Sequence, residues 1–537
     1  MKGGRLDRLS DWLVALLVAE VVVIAFFPAF RAGFVSWDDD TYFLNNPYYR
    51  GLGPAQLRWM FTVTSGHYMP LTWLTHGLDY VLWGMRPAGY HVMNVVLHAL
   101  AAAAAYVVAL RVLAAAVAPE VAPEPLGARR LAAAVAALLF AVHPLRVESV
   151  AWITERRDVL CGLFFLLAVV CYLRAVEGDT RPRRGWYWSA VALAALALLS
   201  KAMAVTLPLV LLLLDVYPFR RLGPWRWTRR DVWLEKIPFF VLSAAAAVMA
   251  IVAQRSVGTL SDLRALGVFE RLGLAAYGLV FYADKTLVPF RLAPLYEAPY
   301  DYATLTAWFA GSAVVVVAAA VALVRVRRRW PGVVAAAAAF VVMLLPVLGL
   351  VHFGLHVAAD RNTYFAGLAP AMLAGGVVLR GLRGASSPGA ARATGAVALA
   401  VVVVLAALTW RQSTVWHDSR TLWDHALRVS PSSIAHAKVG VLLDEEGRTE
   451  EAIVHFREAV RLNPDNAYAH NNWGIALGSV WRFDEAIAHF EAALVVKPTY
   501  AEAQQNLALT RLRLTNPLGY LEAQRAKRES LVRGRAQ

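Results

Sequence analysis

The sequence predicts an all-α protein in two parts: a polytopic membrane helical bundle of about eleven spans, followed by a short helical-repeat solenoid. Three observations predict it. Of 537 residues 59% are hydrophobic and only 17% are charged, with a mean hydropathy of +0.49. Apolar runs long enough to cross about 30 Å of hydrocarbon recur along most of the chain. From about residue 411 the composition turns water-soluble, and a pattern repeats with a period of 34 residues.

The net charge of +15 is mostly Arg and concentrates in short loops: Arg129 and Arg130; Arg181, Arg183 and Arg184; Arg220 to Arg230; and Arg325 to Arg329. Between apolar runs such clusters mark the cytoplasmic side and anionic membrane lipid, so they give no reason to infer a nucleic-acid partner. The start, MKGGRLDRLSDWLVALLVAEVVVIAFFPAF, has a basic leader and a long apolar stretch. It reads as a retained signal anchor with its amino end in the cytoplasm. Spans are expected near 11 to 30, 90 to 110, 131 to 145, 158 to 174, 186 to 200, 203 to 217, 237 to 254, 304 to 324, 332 to 351, 365 to 382 and 393 to 409. With the Arg loops inside, the segments 31–89, 144–157, 200–201, 255–303 and 352–364 fall outside. The apolar stretch 268–288 is then a re-entrant or interfacial helix, because a crossing there would place Arg325 to Arg329 outside. Cys161 and Cys171 share one apolar segment ten residues apart, about 15 Å along a helix, too far to bridge within it.

Domains follow from these shifts: a membrane domain over 1–410, with 31–89 as its first extracytoplasmic loop, a repeat domain over 411–516, and a charged tail over 517–537. In the repeats Ala452, Phe456, Ala459 and Pro464 recur as Ala486, Phe490, Ala493 and Pro498. This is the tetratricopeptide helix-turn-helix pattern, with Gly440 and Gly474 where paired helices approach closely. A partial unit, Trp423 to Pro431, precedes the two repeats and a helical stretch from Tyr500 to Leu514 follows as a cap.

Asp38, Asp39 and Asp40 form the leading catalytic candidate. Adjacent carboxylates persist where a metal ion, a basic side chain or a substrate proton neutralises them. An Asp-rich turn in water accounts for the same residues. A second polar group, HPLRVESVAWITERRDVL, starts at His143. Read as a helix, it places Glu148, Trp152 and Glu155 on one face with Arg156 beside them, a set that suits a sugar ring or, for Trp152, the interfacial aromatic belt. Lys201, after Ser200, lies between apolar runs and suits a lipid phosphate or simple snorkelling. His352 and His356 are four apart, as in a helical metal pair, but no third ligand follows at convincing spacing. Asp360 and Arg361 close that group. His91, Asn94 and His98 make a polar stripe on the second span that reads first as packing. No Walker loop, dinucleotide fingerprint or GxSxG elbow is present.

Five strings in this order, WDDD, GHYMPLTWLTHGLDYVLWGMRPAGYHVMNVVLH, HPLRVESVAWITERRDVL, LLSKAMAVTLPLVLLLLD and ADRNTYF, precede the repeats. They resemble the transmembrane and tetratricopeptide repeat-containing O-mannosyltransferase family, in a bacterial-type version. The resemblance implies the GT-C fold, a polytopic glycosyltransferase architecture that uses polyprenyl-phosphate sugars. It implies Asp38, Asp39 and Asp40 as the catalytic acids, with Asp38 or Asp39 as base, and Lys201, Arg156 and Arg361 at the donor phosphate. His91, His143, Glu148, Trp152, Glu155 and Asp360 are the candidate substrate contacts. A divalent cation, Mg or Mn, held by the Asp group is a candidate cofactor. The eukaryotic members carry longer repeat arrays, so the acceptor does not transfer with the resemblance.

The function expected is transfer of a sugar, mannose by resemblance, from a polyprenyl-phosphate donor to a hydroxyl of a protein or glycan acceptor, with the repeats recruiting the acceptor. The setting expected is a bacterial inner membrane, amino end cytoplasmic and repeats periplasmic. A non-catalytic membrane-anchored repeat scaffold is the alternative from another class, and a sugar-lipid transporter or polymer ligase is a third.

Overall fold

The computed structural model describes residues 3–64, 66–116, 126–177, 182–223, 229–256, 267–298, 306–350 and 356–518. His352 and the tail beyond Leu518 lie outside the described residues. The chain divides into two units, the first holding residues up to Pro294 with Thr306–Asp418, the second Leu295–Leu305 with Ser419 onward. The division falls later than the composition change near residue 411 because the last helix of the first unit runs on to Ser413 and Trp416 stacks beneath Trp152 at 5.6 Å.

In the first unit α1 (Gly3–Ala25) is followed by the aspartate segment and two short helices, α2 (Pro54–Thr62) and α3 (Pro70–Trp83). Both short helices open on Pro, whose missing N–H has no partner to lose at a first turn. α3 stops at Gly84, whose φ of 60° favours glycine. Then come α4 (Pro87–Ala116), α5 (Leu126–Ala141), α6 (Val147–Ala151), α7 (Arg156–Val176), α8 (Arg184–Ser200) and α9 (Leu207–Val216). The rest are α10 (Arg230–Leu234), α11 (Ile237–Ser256), α12 (Val268–Leu287), α13 (Thr306–Val326), α14 (Pro331–Leu344), α15 (Thr363–Ala366), α16 (Leu368–Arg383) and α17 (Pro388–Ser413).

Among the described residues five helices are long and apolar enough to cross a membrane, or seven if two pairs bent by 53° and 51° each count as one span. α1, α8, α9 and α14 coincide with expected spans but do not meet that test. α12 is one continuous helix that also falls outside it. α7 is the hub: 83% of its apolar window is buried inside the protein, against 11% for α13. Apolar side chains on α13 therefore face outward, as hydrocarbon permits and water would penalise.

The second unit comprises α18 (Ser419–Val429), the pairs α19 (Ser433–Glu445) with α20 (Thr449–Leu462) and α21 (Ala467–Ser479) with α22 (Phe483–Val496), and α23 (Ala501–Thr515). Gly440 and Gly474 let the partner helices close, since a Cβ there would meet the Phe456 and Phe490 rings at 2.6 and 2.7 Å. Ser432 and Asn466 cap α19 and α21 by accepting from Ala435 N at 3.2 Å and Ala469 N at 2.9 Å. Tyr296–Glu297 belongs to this unit as well: the Glu297 carboxylate accepts from Ile434 N at 3.0 Å, beside that same cap.

Candidate active site

The polar segments that interrupt the helices meet at one end of the first unit. Asp39 is wholly buried. Its Oδ1 accepts from Thr154 Oγ1 at 2.6 Å and Trp152 Nε1 at 3.0 Å, and its Oδ2 from Val35 N at 3.0 Å. Burial pushes its carboxyl up to about 7 against these three donors, with the neighbouring Asp38 adding to the rise. Asp39 thus clamps the first loop to the 152–154 turn. Asp40 starts a π-helical turn over Asp40–Leu44 and accepts from Thr41 N at 2.9 Å. Asp38 is half-buried and lies within electrostatic reach of Tyr42 and Arg157.

The centre itself is built on Glu155, whose side chain is wholly buried. Arg157 Nη2 and Nε donate to it at 2.5 and 3.0 Å, Lys201 Nζ at 3.0 Å, and Arg361 Nε lies 3.3 Å away. Lys201 also donates to Asp158 Oδ1 at 2.8 Å, and Ser149 Oγ to Asp158 Oδ2 at 3.1 Å. Arg361 pairs with Glu148, and its backbone N–H donates to the same carboxylate at 2.7 Å. Three cations and three carboxylates alternate, and the cations retain the exposure: 19% for Lys201, 13% for Arg361 and 7% for Arg157. Lys201 reaches the centre because α8 ends at Ser200 and residue 201 alone is extended before the next helical turn. Thr72 Oγ1 fixes that break by donating to Ser200 O at 3.0 Å.

A cavity of about 280 Å³ opens beside Arg157 and Lys201, with Leu198, Leu199, Leu242 and Met249 among its apolar lining. His67 lines it too, and burial together with Arg157 and Lys201 holds its pKa down to about 3, leaving the imidazole neutral.

The helical reading of 143–160 is corrected. Trp152 is extended, with ψ of 120°, and a 3-10 turn over Ile153–Glu155 separates α6 from α7, so Glu148, Trp152 and Glu155 do not share one helical face. Glu148 and Glu155 still meet, through Arg361. Trp152 is 1% exposed, stacked on Trp416 and beside Trp37 at 6.3 Å, so no ring face is open to a sugar. Arg156 points the other way from Arg157: it is wholly buried, paired with Asp79, and donates to Asn94 Oδ1 at 2.7 Å and Tyr90 O at 2.8 Å. It fastens α7 to α3 and α4, away from the cavity.

His91 is buried with Nε2 3.3 Å from Gly33 O, and Asn94 and His98 bond Val150, Trp152, Ala141 and Tyr364, so the stripe ties helices together. His143 caps the Pro144–Arg146 turn and its Nε2 lies 3.1 Å from Thr286 O. Asp360 is buried at the start of the Asp360–Asn362 turn, where its carbonyl accepts from Thr363 Oγ1. Arg157, Asp158 and His67 were not singled out from sequence. Arg157 and Asp158 were within reach of it, since ERRD carries both charge signs in four residues. For a metal ion, no group of three His, Cys, Asp or Glu side chains converges among the described residues, and Glu148, Glu155 and Asp158 are each taken up by Arg or Lys.

Fold and site together define a polytopic membrane protein with a buried charged centre next to an apolar cavity and a tetratricopeptide-repeat domain. The description "TPR repeat" matches residues 442–479. The chain is similar to the transmembrane and tetratricopeptide repeat-containing O-mannosyltransferases. Protein O-mannosyl-transferase TMTC4 of Homo sapiens is 31% identical over 212 residues, 37% of this chain and 28% of the relative. Protein O-mannosyl-transferase TMTC1 of Homo sapiens is 25% identical over 512 residues, 85% of this chain and 56% of the relative. The chain thus spans about half or less of the length of these relatives. Among solved structures, ArnT from Cupriavidus metallidurans bound to undecaprenyl phosphate aligns with a TM-score of 0.39 at 15% identity, over 81% of this chain and 80% of that one.

Proposed function

We propose that this protein is a membrane glycosyltransferase of GT-C architecture that moves a sugar, mannose by resemblance, from a polyprenyl phosphate to a hydroxyl of a protein or glycan acceptor. The reaction would take place on the extracytoplasmic face of a bacterial inner membrane, with the Arg-rich loops cytoplasmic. The observation that carries the reading is the meeting of cations with an apolar wall: Arg157 and Lys201 open on a cavity lined by Leu198, Leu242 and Met249. A prenyl phosphate asks for both at once, fixed positive charge for the phosphate and hydrocarbon for the chain. The names of the curated relatives support the sugar and the protein acceptor.

Asp38 is the base in this account, because Asp39 is spent on three donors and wholly buried. The Asp38 carboxylate takes the acceptor O–H proton as the oxygen bonds to the anomeric carbon. The bond from that carbon to the phosphate oxygen breaks, and its electron pair leaves on the polyprenyl phosphate. Arg157, Lys201 and Arg361 meet the charge that develops there, and Glu155 holds them in place beforehand, so little reorganisation accompanies the step. A single displacement inverts the anomeric centre. No step is routed through a metal ion. The repeats present the acceptor, as a stacked helical surface suits an extended peptide.

Purified full-length protein incubated with radiolabelled polyprenyl-phosphate sugars and candidate acceptors should yield acceptor-linked label. Lys201→Met should raise the donor KM. Failure to transfer label from any donor, or donor kinetics indifferent to Lys201→Met, would overturn the reading.

A further inference from the structure

A second cavity lies between helices of the first unit. It measures about 860 Å³ and lies among α4, α7, α9, α14 and α16, with Leu113, Phe165, Leu214, Ala336, Met343 and Leu373 in its apolar lining. Its mouth is formed by Arg329, Trp330, Arg380 and Arg383. α16 runs from Leu368 to Arg383, about 24 Å, and lines the cavity from its first turn to its last.

We propose that this cavity holds an anionic diacyl phospholipid of the surrounding membrane, acyl chain between the helices and phosphate on the three guanidiniums. The size is that of a small-molecule site, about 300–1,000 Å³. None of Arg329, Arg380 and Arg383 has a carboxylate partner among the described residues, so the mouth has a charge deficit that a phosphate would fill. Arg380 lies 5.9 Å from the centre of the Trp330 ring, a cation and an indole placed together as at a lipid headgroup. The neighbouring Arg325, Arg327 and Arg328 add to the positive field. Basic pockets between membrane helices select anionic headgroups by this combination of fixed charge and hydrocarbon. The proposal does not depend on the glycosyltransferase reading, since the mouth shares no residue with the charged centre.

The test is native mass spectrometry of the detergent-solubilised full chain titrated with phosphatidylglycerol, phosphatidylcholine or undecaprenyl phosphate. Phosphatidylglycerol should be retained about tenfold or more over phosphatidylcholine, and the triple variant Arg329→Gln, Arg380→Gln, Arg383→Gln should erase that preference. Ala336→Trp, which fills the apolar wall, should reduce retention of phosphatidylglycerol while leaving the arginines in place. Equal retention of the two phospholipids would overturn the proposal. So would a preference that survives both variants, or displacement of phosphatidylglycerol by equimolar undecaprenyl phosphate.

Discussion

In the repeat unit Arg448 and Arg482 each reach three residues along the chain to Glu451 and Glu485, at 2.7 and 2.6 Å, with every partner exposed. In the membrane unit Glu155 meets Arg157, Lys201 and Arg361 at similar distances with its own side chain wholly buried. The contacts are alike and the consequences are opposite. Water screens the first kind, so each pair adds little and either partner can be lost. Burial removes most of that screening from the second, so taking out a central carboxylate leaves its cations undercompensated and costs far more. An arrangement so costly to complete, opening on a cavity through its cations, is expected where charge is to be handled rather than where helices are merely to be glued.

The sharpest break in this comparison is Glu155→Gln. It leaves Arg157 without its carboxylate and takes one of two carboxylate partners from Lys201 and Arg361, and should destabilise the protein by about 3–5 kcal/mol, seen as a large fall in Tm together with loss of transfer. An unchanged Tm would contradict the dependence just described. Next in size, Gly440→Ala pushes a methyl against the Phe456 ring and should destabilise the repeat unit by about 1–3 kcal/mol, read from its thermal unfolding. If it unfolds as the wild type does, the close approach of α19 and α20 is not what orders that unit.

A pH series measures the contribution of Asp39. Its folded pKa is raised above the ordinary carboxylate value of 3.8 to about 7, chiefly by burial. The folded state therefore holds the proton more tightly, and the stability this gives is complete below pH 4 and is lost as pH rises to 7. Melting curves across that window should fall more steeply for the wild type than for Asp39→Asn. The smallest expected effect is at the surface: Arg448→Ala should leave Tm where it was.

Much of the architecture was legible because it follows from periodicity. Ala452 and Ala486, or Gly440 and Gly474, repeat whatever the rest of the chain does, and apolar runs between Arg loops declare themselves. The site was legible only as neighbourhoods. ERRD pointed to the right turn, yet which Arg faces the cavity depends on where α7 starts, and the extended Trp152 resets the helical phase just before it. Arg156 is taken by Asp79, 77 positions earlier, a partner that no local spacing reveals. The sequence left Asp38 and Asp39 equal as candidate bases, and Thr154 and Trp152, which occupy Asp39, lie over a hundred residues further along the chain.

The most direct test of the account is the turnover of Asp38→Asn measured beside its melting temperature, with labelled polyprenyl-phosphate sugar and acceptor. Loss of about 10²–10⁴-fold in kcat at an unchanged Tm is predicted for a base that serves chemistry and not folding. Wild-type turnover in Asp38→Asn would contradict the assignment.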